Sequence, residues 1–222
     1  MCFSPQADLV GGALIGAIGI DTLRSARHQR RHLALASLPL LFGVHQLIES
    51  AVWLGLQGHL PHTVERVALW GYLLIAFVLL PVFVPVAVLL NEPSLRRRLA
   101  MVPLAALGVA VSTDLAVAMV RGPLDVSLRP HHLAYSLVLD HAGIVIVLYV
   151  VAVCLTLLLS SRRRVVIFGV VNLAAVGVIA WLTVDGFASV WCGWAAVTSA
   201  VIALHLRMGR MRHPSPLDVR TA

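Results

Sequence analysis

Charged side chains are scarce in this chain of 222 residues. Only 12% of the residues are Asp, Glu, Lys or Arg, and 59% are hydrophobic, whereas roughly a quarter of the residues of a soluble domain are charged. The mean hydropathy of +0.92 agrees with this composition. The scarcity excludes an ordinary soluble domain and predicts a multi-pass protein of the cell membrane.

Cysteine is scarce as well. Cys2, Cys154 and Cys192 are too few for a disulfide scaffold, and no Cys-x-x-Cys spacing indicates a zinc ribbon. Cys2 and Cys192 both fall at the predicted outer surface, where an oxidising exterior would permit a disulfide between them. The alternative is two free thiols. Cys154 lies in the middle of an apolar run, and we expect it to be a small core residue.

A cleavable signal sequence is also lacking. The start MCFSPQADLV has no basic segment, and the first apolar run continues into a basic loop without a small-residue cleavage pattern. We therefore expect insertion through the spans themselves. The formal charge of +7 comes from Arg residues in short blocks between apolar runs, which is a pattern of membrane topology and not of nucleic-acid binding.

Apolar runs of about 20 residues predict seven transmembrane helices. The loops after the first, third, fifth and seventh runs carry most of the arginines, which by the positive-inside rule puts the N-terminus outside and the C-terminus in the cytoplasm. We therefore predict an all-α seven-transmembrane helix bundle, one domain over residues 1–206, with a basic disordered cytoplasmic tail over 207–222. The predicted spans are residues 8–24, 33–56, 66–90, 99–120, 139–160, 165–184 and 187–206.

The second span carries unusual polar residues for a membrane helix. A carboxyl at the centre of such a helix costs roughly 2.5 kcal/mol or more, so Glu49 needs a reason. His45, Glu49 and Trp53 recur at i, i+4 and i+8 and form one stripe, with Gln46 on its flank. A hydrogen bond within the bundle is the structural explanation. We favour the functional one, because ionisable residues inside a membrane are functional candidates by default.

Ionisable and aromatic residues concentrate in the outer half of the predicted bundle. A simple interfacial belt would place aromatic rings at both membrane surfaces, but the cytoplasmic side has none. We therefore predict a cup that opens outward, with the loop RGPLDVSLRPHHLAYSLVLDH over it as a lid or re-entrant segment. The acids and the histidine of this half are Glu49, Asp114, Asp140, His141 and Asp185, and the rings include Trp53, Trp70, Tyr72, Tyr135, Trp181 and Trp191.

Such a cup could support protonation chemistry. A carboxylic acid in an apolar site stays protonated near neutral pH, since its charged form is poorly solvated, and aromatic faces attract cations. A proton donor, cation-stabilising rings and exclusion of water are the requirements for starting a polyene cyclisation. The predicted substrate is a lipid-soluble, prenylated small molecule that enters from the bilayer, and the reaction needs no cofactor and no metal.

Three segments carry a resemblance to a known family. The start MCFS-x-x-AD, the segment LPLLFG-x-HQ-x-x-E-x-x-VWLGL and the segment SVWC resemble an uncharacterised bacterial family of multi-pass proteins, over nearly the full chain. This resemblance implies no activity.

A second resemblance is one of layout. The length, the seven spans and one early and one late acid are similar to the small membrane-bound terpene cyclases of meroterpenoid and indole-sesquiterpenoid pathways. This resemblance implies Glu49 and Asp185 as the essential acids, with Asp114 or Asp140 as replacements for the second one, since Asp185 precedes the last span. The expected substrate-binding residues are His45, Gln46, Trp53, Trp70, Tyr72, Tyr135, His141, Trp181 and Trp191.

Two other functions remain open at this point. His45 and Glu49, with Asp140, His141 and the pair His131 and His132, could form a zinc-dependent hydrolase of a lipid amide, similar to membrane ceramidases. Those enzymes bring paired histidines from the last helix, whereas this chain has only His205 there. A transporter or sensor without enzymatic activity is the third class, although no internal repeat is apparent.

Overall fold

A computed structural model describes residues 4–28, 30–128, 133–137, 139, 141–182, 191 and 193–200. Helices make up most of this part of the chain, and four of them are long and apolar enough to cross a membrane. The four are Pro5–Ala26, Arg31–Leu56, His62–Asn91 and Leu95–Arg121, and they coincide with the first four predicted spans. A shorter apolar helix, Ala142–Leu158, lies within the predicted fifth span.

Nine α-helices with assigned bounds lie within residues 5–182, and residues 193–200, in the predicted seventh span, are helical as well. Two π-helical turns, Leu74–Leu79 and Val151–Leu155, join α4 to α5 and α7 to α8 into continuous helices. Most of the predicted seventh span and the whole predicted tail lie outside the described residues. The helices are α1 (Pro5–Ala26), α2 (Arg30–Ala36), α3 (Leu38–Leu56), α4 (His62–Leu73), α5 (Leu80–Asn91), α6 (Leu95–Arg121), α7 (Ala142–Val150), α8 (Thr156–Leu158) and α9 (Arg163–Leu182).

The outward faces of the helices are apolar. On α1, Leu9, Val10 and Leu14 each expose more than half of their surface, and on α6 Val109 and Val120 are 50% and 77% exposed. Contiguous apolar surface of this extent is rare on soluble monomers and is typical of helices that face lipid. The described part therefore fits the membrane protein that the composition predicts.

Glycines let α1 and α3 pack with their backbones in close contact. A Cβ atom on Gly43 of α3 would lie 2.5 Å from the backbone nitrogen of Gly16, and one on Gly12 would lie 2.9 Å from the Gly43 carbonyl oxygen. No side chain fits into such gaps. The spacing of Gly12 and Gly16 predicts this close approach, and the two helices run antiparallel through it.

The helix formed by α4 and α5 is tied to its neighbours where Pro81 interrupts its hydrogen bonding. Proline has no backbone N–H, so carbonyl groups in the preceding turn lose a partner. The Tyr149 hydroxyl donates to the Ala76 carbonyl at 2.7 Å, and the Ser112 hydroxyl donates to the Val78 carbonyl at 2.8 Å. Side chains from α7 and α6 thus satisfy the carbonyls of the π-helical turn and fix the packing of three helices.

A β-hairpin follows α6, so the expectation of an all-α chain is wrong at this point. Its strands, β1 (Leu124–Leu128) and β2 (Leu133–Leu137), pair antiparallel with Val126 opposite Tyr135. The segment LDVSL alternates apolar and polar residues, a pattern typical of a β-strand. A search for long apolar runs does not detect it. Leu133 is fully buried against the helices, so the hairpin lies over one end of the bundle.

Three of the basic loops meet at the other end of the bundle. The His32 ring forms a hydrogen bond with the Asn91 side chain, and one Arg97 Nη1 donates to the carbonyls of Leu159 and Ser160 at 3.1 and 3.0 Å. The loops after the predicted first, third and fifth spans therefore lie together, as their charges predict. The basic segment after the predicted seventh span lies outside the described residues.

Candidate functional site

One face of α3 buries four polar side chains. His45, Gln46 and Glu49 have no exposed surface, and Ser50 is 3% exposed. Helical spacing places them on one side of α3, with Trp53 one turn further along and also buried. The predicted stripe is thus confirmed as a buried face, and it points into the protein and not into lipid.

Helix α1 adds a second buried carboxyl, that of Asp8. Asp8 has no exposed surface and lies one turn before Gly12, which packs against Gly43 and Leu47 of α3. Because the two helices are antiparallel, Asp8, one turn before this contact, lies at the level of Glu49 and Ser50. Asp8 is not among the site residues predicted from the sequence. Its signal is the stripe of Asp8, Gly12 and Gly16 at i, i+4 and i+8, which places Asp8 on the face that packs against α3.

We refer to Asp8, His45, Gln46 and Glu49 as the acid cluster. Within it, the Gln46 amide donates to Glu49 Oε2 at 3.3 Å. Residues four apart on a helix have their side chains about 5–6 Å apart at Cβ, so the His45 ring and the Glu49 carboxyl are neighbours on α3. The cluster therefore has an imidazole, an amide and a carboxyl group on the buried face of α3, and a second buried carboxyl on the face of α1 that packs against α3.

The hydrogen bonds of His45 define the state of its ring. Its Nε2 lies 3.1 Å from the carbonyl oxygen of Tyr72. Since a carbonyl oxygen only accepts, Nε2 carries a proton and donates it. In the neutral ring Nδ1 is then a free lone pair, and this atom is buried without a hydrogen-bond partner among the described residues. His45 Nδ1 is thus a buried base within the cluster.

Three aromatic rings stack over the cluster. The rings of His45 and Tyr72 are 4.1 Å apart between centroids and inclined by 19°, and those of Tyr72 and Tyr135 are 4.6 Å apart and inclined by 15°. Tyr135 belongs to β2, so the hairpin reaches the cluster through this stack. Trp53, Leu69 and Leu133 pack around it, and Trp70 is half-buried beside them.

The indole nitrogen of Trp53 is a second buried polar atom without a hydrogen-bond partner in the described ranges. Trp53 follows His45 by eight residues on the same face of α3. Buried polar atoms without a partner are uncommon in folded proteins, and each one indicates strain, a ligand, a catalytic role or an ordered water. Two such atoms on one helix face set the C-terminal half of α3 apart.

The other predicted site residues are not brought into this cluster. Asp114 is exposed on α6, His141 is exposed before α7, and Trp181 of α9 is 85% exposed. Trp191 is buried elsewhere, against Cys154 and Ile179. The predicted candidates outside the described residues, including those of the proposed disulfide and of the zinc alternative, are Cys2, His131, His132, Asp140, Asp185, Cys192 and His205.

The expected open cup is a closed cluster in this structure. The four residues of the acid cluster have no exposed surface at all. A separate, small cavity of about 30 Å³ lies elsewhere in the bundle, and its walls include Phe42, Tyr149, Phe168, Asn172 and Trp191. Phe42 precedes Glu49 by two turns of α3, about 10 Å along the helix, so the cavity lies towards the basic end from the acids.

Within the described residues, no three side chains of His, Cys, Asp or Glu are placed to hold a metal ion. The side chains of the acid cluster are proton donors and acceptors, and aromatic rings lie on one side of them. A carboxylic acid and a neutral imidazole on adjacent turns can pass a proton to a bound molecule and accept one from it.

Comparison with known proteins identifies the family of the chain and no more. No curated protein and no solved structure is detectably similar to it. A family model described as a family of unknown function (DUF6629) matches residues 1–218. The match covers nearly the full length, including the segments around Asp8, His45 and Glu49, so the resemblance to an uncharacterised family is confirmed. The protein belongs to this family of unknown function.

Proposed function

We propose that the protein is a membrane-embedded cyclase that protonates a lipid-soluble, prenylated substrate at the acid cluster. The observation that carries the proposal is the buried His45 Nδ1, which has no partner in the described part of the chain and lies one turn from the Glu49 carboxyl. A purely structural polar cluster is expected to satisfy such an atom. An acid and an open base side by side are what a proton-in, proton-out isomerisation requires.

In the proposed reaction, Glu49 donates its proton to a carbon of an alkene in the substrate. The alkene π electrons form the new C–H bond and leave a carbocation, which a second double bond of the substrate attacks to close a ring. His45 Nδ1 then takes a proton from the carbon next to the final cation, and a double bond forms. When the product leaves, His45 releases this proton to water and Glu49 takes a proton from water, so both groups return to their starting states and the product is an isomer of the substrate.

The aromatic rings support the cationic steps. Tyr72, Tyr135 and Trp53 surround the outer side of the cluster, and the faces of such rings attract cations. Burial excludes water, which would otherwise quench the cation early. Because the cluster is closed, the substrate can enter only if the hairpin moves. Leu133 and Tyr135 of the hairpin pack against Tyr72.

The proposed architecture has seven spans, with the N-terminus outside and the C-terminus in the cytoplasm. Four membrane-length helices and the gathering of three basic loops at one end support it. In this orientation the acid cluster and the hairpin lie in the outer leaflet half, next to the lipid from which the substrate enters. Asp8 takes the place of second acid, because it is buried at the level of Glu49 whereas Asp114 is exposed.

Deuterium incorporation tests the proposal directly. Membranes that contain the protein are incubated in D₂O with a panel of linear farnesyl-bearing quinols and indoles, and products are analysed by mass spectrometry. We expect a cyclic isomer that carries one carbon-bound deuterium. Glu49→Gln, which keeps the size of the side chain, should reduce the rate by about 1,000-fold, the middle of the range for general acid catalysis.

The matched control is Glu65→Gln on α4. Glu65 is half-buried and bonds to His62 at 3.3 Å, outside the acid cluster. We expect its turnover to equal that of the unchanged protein. Equal turnover of the Glu49→Gln variant, or a product without carbon-bound deuterium, would refute the assignment of Glu49 as the acid.

A further inference from the structure

Two arginine triplets are held side by side at the basic end of the bundle. Arg97, at the start of α6, donates to the carbonyls of Leu159 and Ser160, which precede α9. Arg162, just before α9, donates through Nε to the carbonyl of Asn91 at 3.2 Å, at the end of α5. Each triplet thus forms a hydrogen bond with the loop that carries the other, so the two triplets form one surface. We call this the arginine surface, and its residues are Arg96, Arg97, Arg98, Arg162, Arg163 and Arg164.

Glu92 lies beneath this surface but does not neutralise it. Its Oε1 accepts from the Ser94 N–H and the Ser161 hydroxyl at 3.1 and 2.7 Å, and its Oε2 accepts from the Ser161 N–H and the Ser160 hydroxyl at 2.8 and 3.2 Å. All four donors are uncharged. Among the described residues, no carboxylate forms an ion pair with any of the six arginines. No ion pair within the described part of the chain therefore compensates the positive charge of the surface.

The arginines are pre-positioned and retain donors. Arg98 Nη2 donates to the Glu92 carbonyl at 2.7 Å, while its buried Nε has no partner within the described ranges. Arg96, Arg163 and Arg164 are exposed. A planar guanidinium binds two phosphate oxygens at once, and α6 and α9 both begin here, so their dipoles also attract negative charge. An arginine in the first turn of a helix is repelled by the positive end of the helix dipole, and a bound anion would offset this repulsion.

An apolar stripe starts directly beside the charge. Leu95, Leu99 and Val102 follow one side of α6 and are 67%, 62% and 49% exposed. A phospholipid has the same order of chemistry, an anionic phosphate followed by acyl chains. A soluble anion would use only the arginines. The stripe therefore favours a lipid over free phosphate.

We propose that the arginine surface binds the phosphate headgroup of an anionic phospholipid, with the acyl chains along Leu95, Leu99 and Val102. Each arginine near a membrane surface strengthens the attraction to anionic lipid, and such attraction weakens as salt is added. This site is independent of the acid cluster and of the proposed reaction. It would hold the loop before α6 and the loop before α9 together from outside, as Glu92 holds them from within.

The test uses the full-length protein in detergent and three probes: dioctanoyl phosphatidylglycerol, dioctanoyl phosphatidylcholine and inorganic phosphate. Binding is followed by the midpoint of thermal unfolding over a titration and by native mass spectrometry. We expect phosphatidylglycerol to raise the midpoint and to remain bound, with little effect of the other two. The triple variant Arg96→Gln, Arg163→Gln, Arg164→Gln leaves the loop-bonding arginines in place and should bind phosphatidylglycerol roughly 100-fold more weakly.

The control is the double variant Arg66→Gln, Arg121→Gln, which removes exposed arginines from the opposite end of the bundle. It should bind phosphatidylglycerol as the unchanged protein does. Equal shifts with phosphatidylcholine would overturn recognition of the anionic headgroup. Equal shifts with inorganic phosphate would indicate a soluble-anion site instead of a lipid site. If the control variant loses as much affinity as the triple variant, binding depends on the net charge of the protein and not on the arginine surface, and the proposal is wrong.

Discussion

Two glutamates are buried at opposite ends of this bundle, and their surroundings differ. Glu92 is 1% exposed and accepts four hydrogen bonds from uncharged donors of two loops. Glu49 has no exposed surface and accepts a hydrogen bond from the Gln46 amide. His45, one turn before it on α3, stacks on the ring of Tyr72. Burial alone therefore does not distinguish a carboxyl group that stabilises the fold from one that can transfer a proton.

The difference lies in the neighbours. Around Glu92 every donor belongs to the two loops that the carboxylate joins, so its role is to hold α5 and α6 to the start of α9. Around Glu49 the neighbours include a buried base, His45 Nδ1, that has no partner in the described part of the chain. A carboxylate surrounded by donors is stable as an ion, whereas an acid beside an open base and aromatic rings can take part in proton transfer.

The largest effect on stability is expected for Glu92→Ala. The change leaves four buried or half-buried donors without an acceptor, and each such donor costs about 1–3 kcal/mol when it is fully buried. We expect a loss of about 3 kcal/mol or more in the free energy of unfolding, measured in detergent by thermal or denaturant unfolding. Glu65→Ala is the control and should change stability by less than about 1 kcal/mol. A loss for Glu92→Ala no larger than that of the control would contradict the structural role.

At the other end, His45→Phe separates chemistry from packing. Phenylalanine keeps a ring that can stack on Tyr72 but removes the Nδ1 base. We expect turnover to fall by about 100-fold with a small change in KM, a typical contribution of general base catalysis. Stability should fall by only about 1 kcal/mol, because the Tyr72 carbonyl loses its donor. Full activity of this variant would remove His45 from the proposed mechanism.

A smaller effect is expected for Tyr149→Phe, between the two ends. The hydroxyl of Tyr149 satisfies the Ala76 carbonyl in the π-helical turn at 2.7 Å. Its loss should lower the free energy of unfolding by about 1 kcal/mol, the usual net contribution of one hydrogen bond. Tyr72→Phe is the comparison at the acid cluster, where the ring stack is kept; it should affect turnover more than stability. The reverse pattern for the two tyrosines would reject the distinction between the ends.

The smallest effect is a pH dependence of stability that arises from Glu92. Burial by itself raises the pKa of Glu92, but hydrogen bonds from Ser161, Ser94 and Ser160 outweigh burial and hold the pKa below its ordinary value of 4.5. A carboxyl with a lowered folded-state pKa contributes stability above its unfolded-state pKa and loses that contribution as the pH falls through the folded-state value. The thermal midpoints of the unchanged protein and of Glu92→Gln should therefore converge on acidification from about pH 7 to pH 3. A constant difference would contradict this origin.

Some of the candidate site was predictable from the sequence and some was not. His45, Glu49 and Trp53 repeat at helical spacing in an apolar run, so their common face follows from the chain alone. Asp8 is buried through contact between two helices, and its depth depends on the glycines that let α1 approach α3. Asp114 also lies in an apolar helix, yet it is exposed, because no neighbouring helix covers its face of α6 in the described structure.

Membrane helices are the part of this protein that its amino-acid sequence predicts most directly. Long apolar runs, sparse charge and arginine blocks between the runs suffice to predict membrane helices, since the free energy of placing a residue in lipid depends mainly on its own chemistry. Which polar groups meet depends on tertiary packing. The contact of α1 with α3, the ring stack through Tyr135 of the hairpin and the bonds from Ser160 and Ser161 to Glu92 join residues far apart in the chain. Such contacts depend on helix register and rotation, which local composition does not specify.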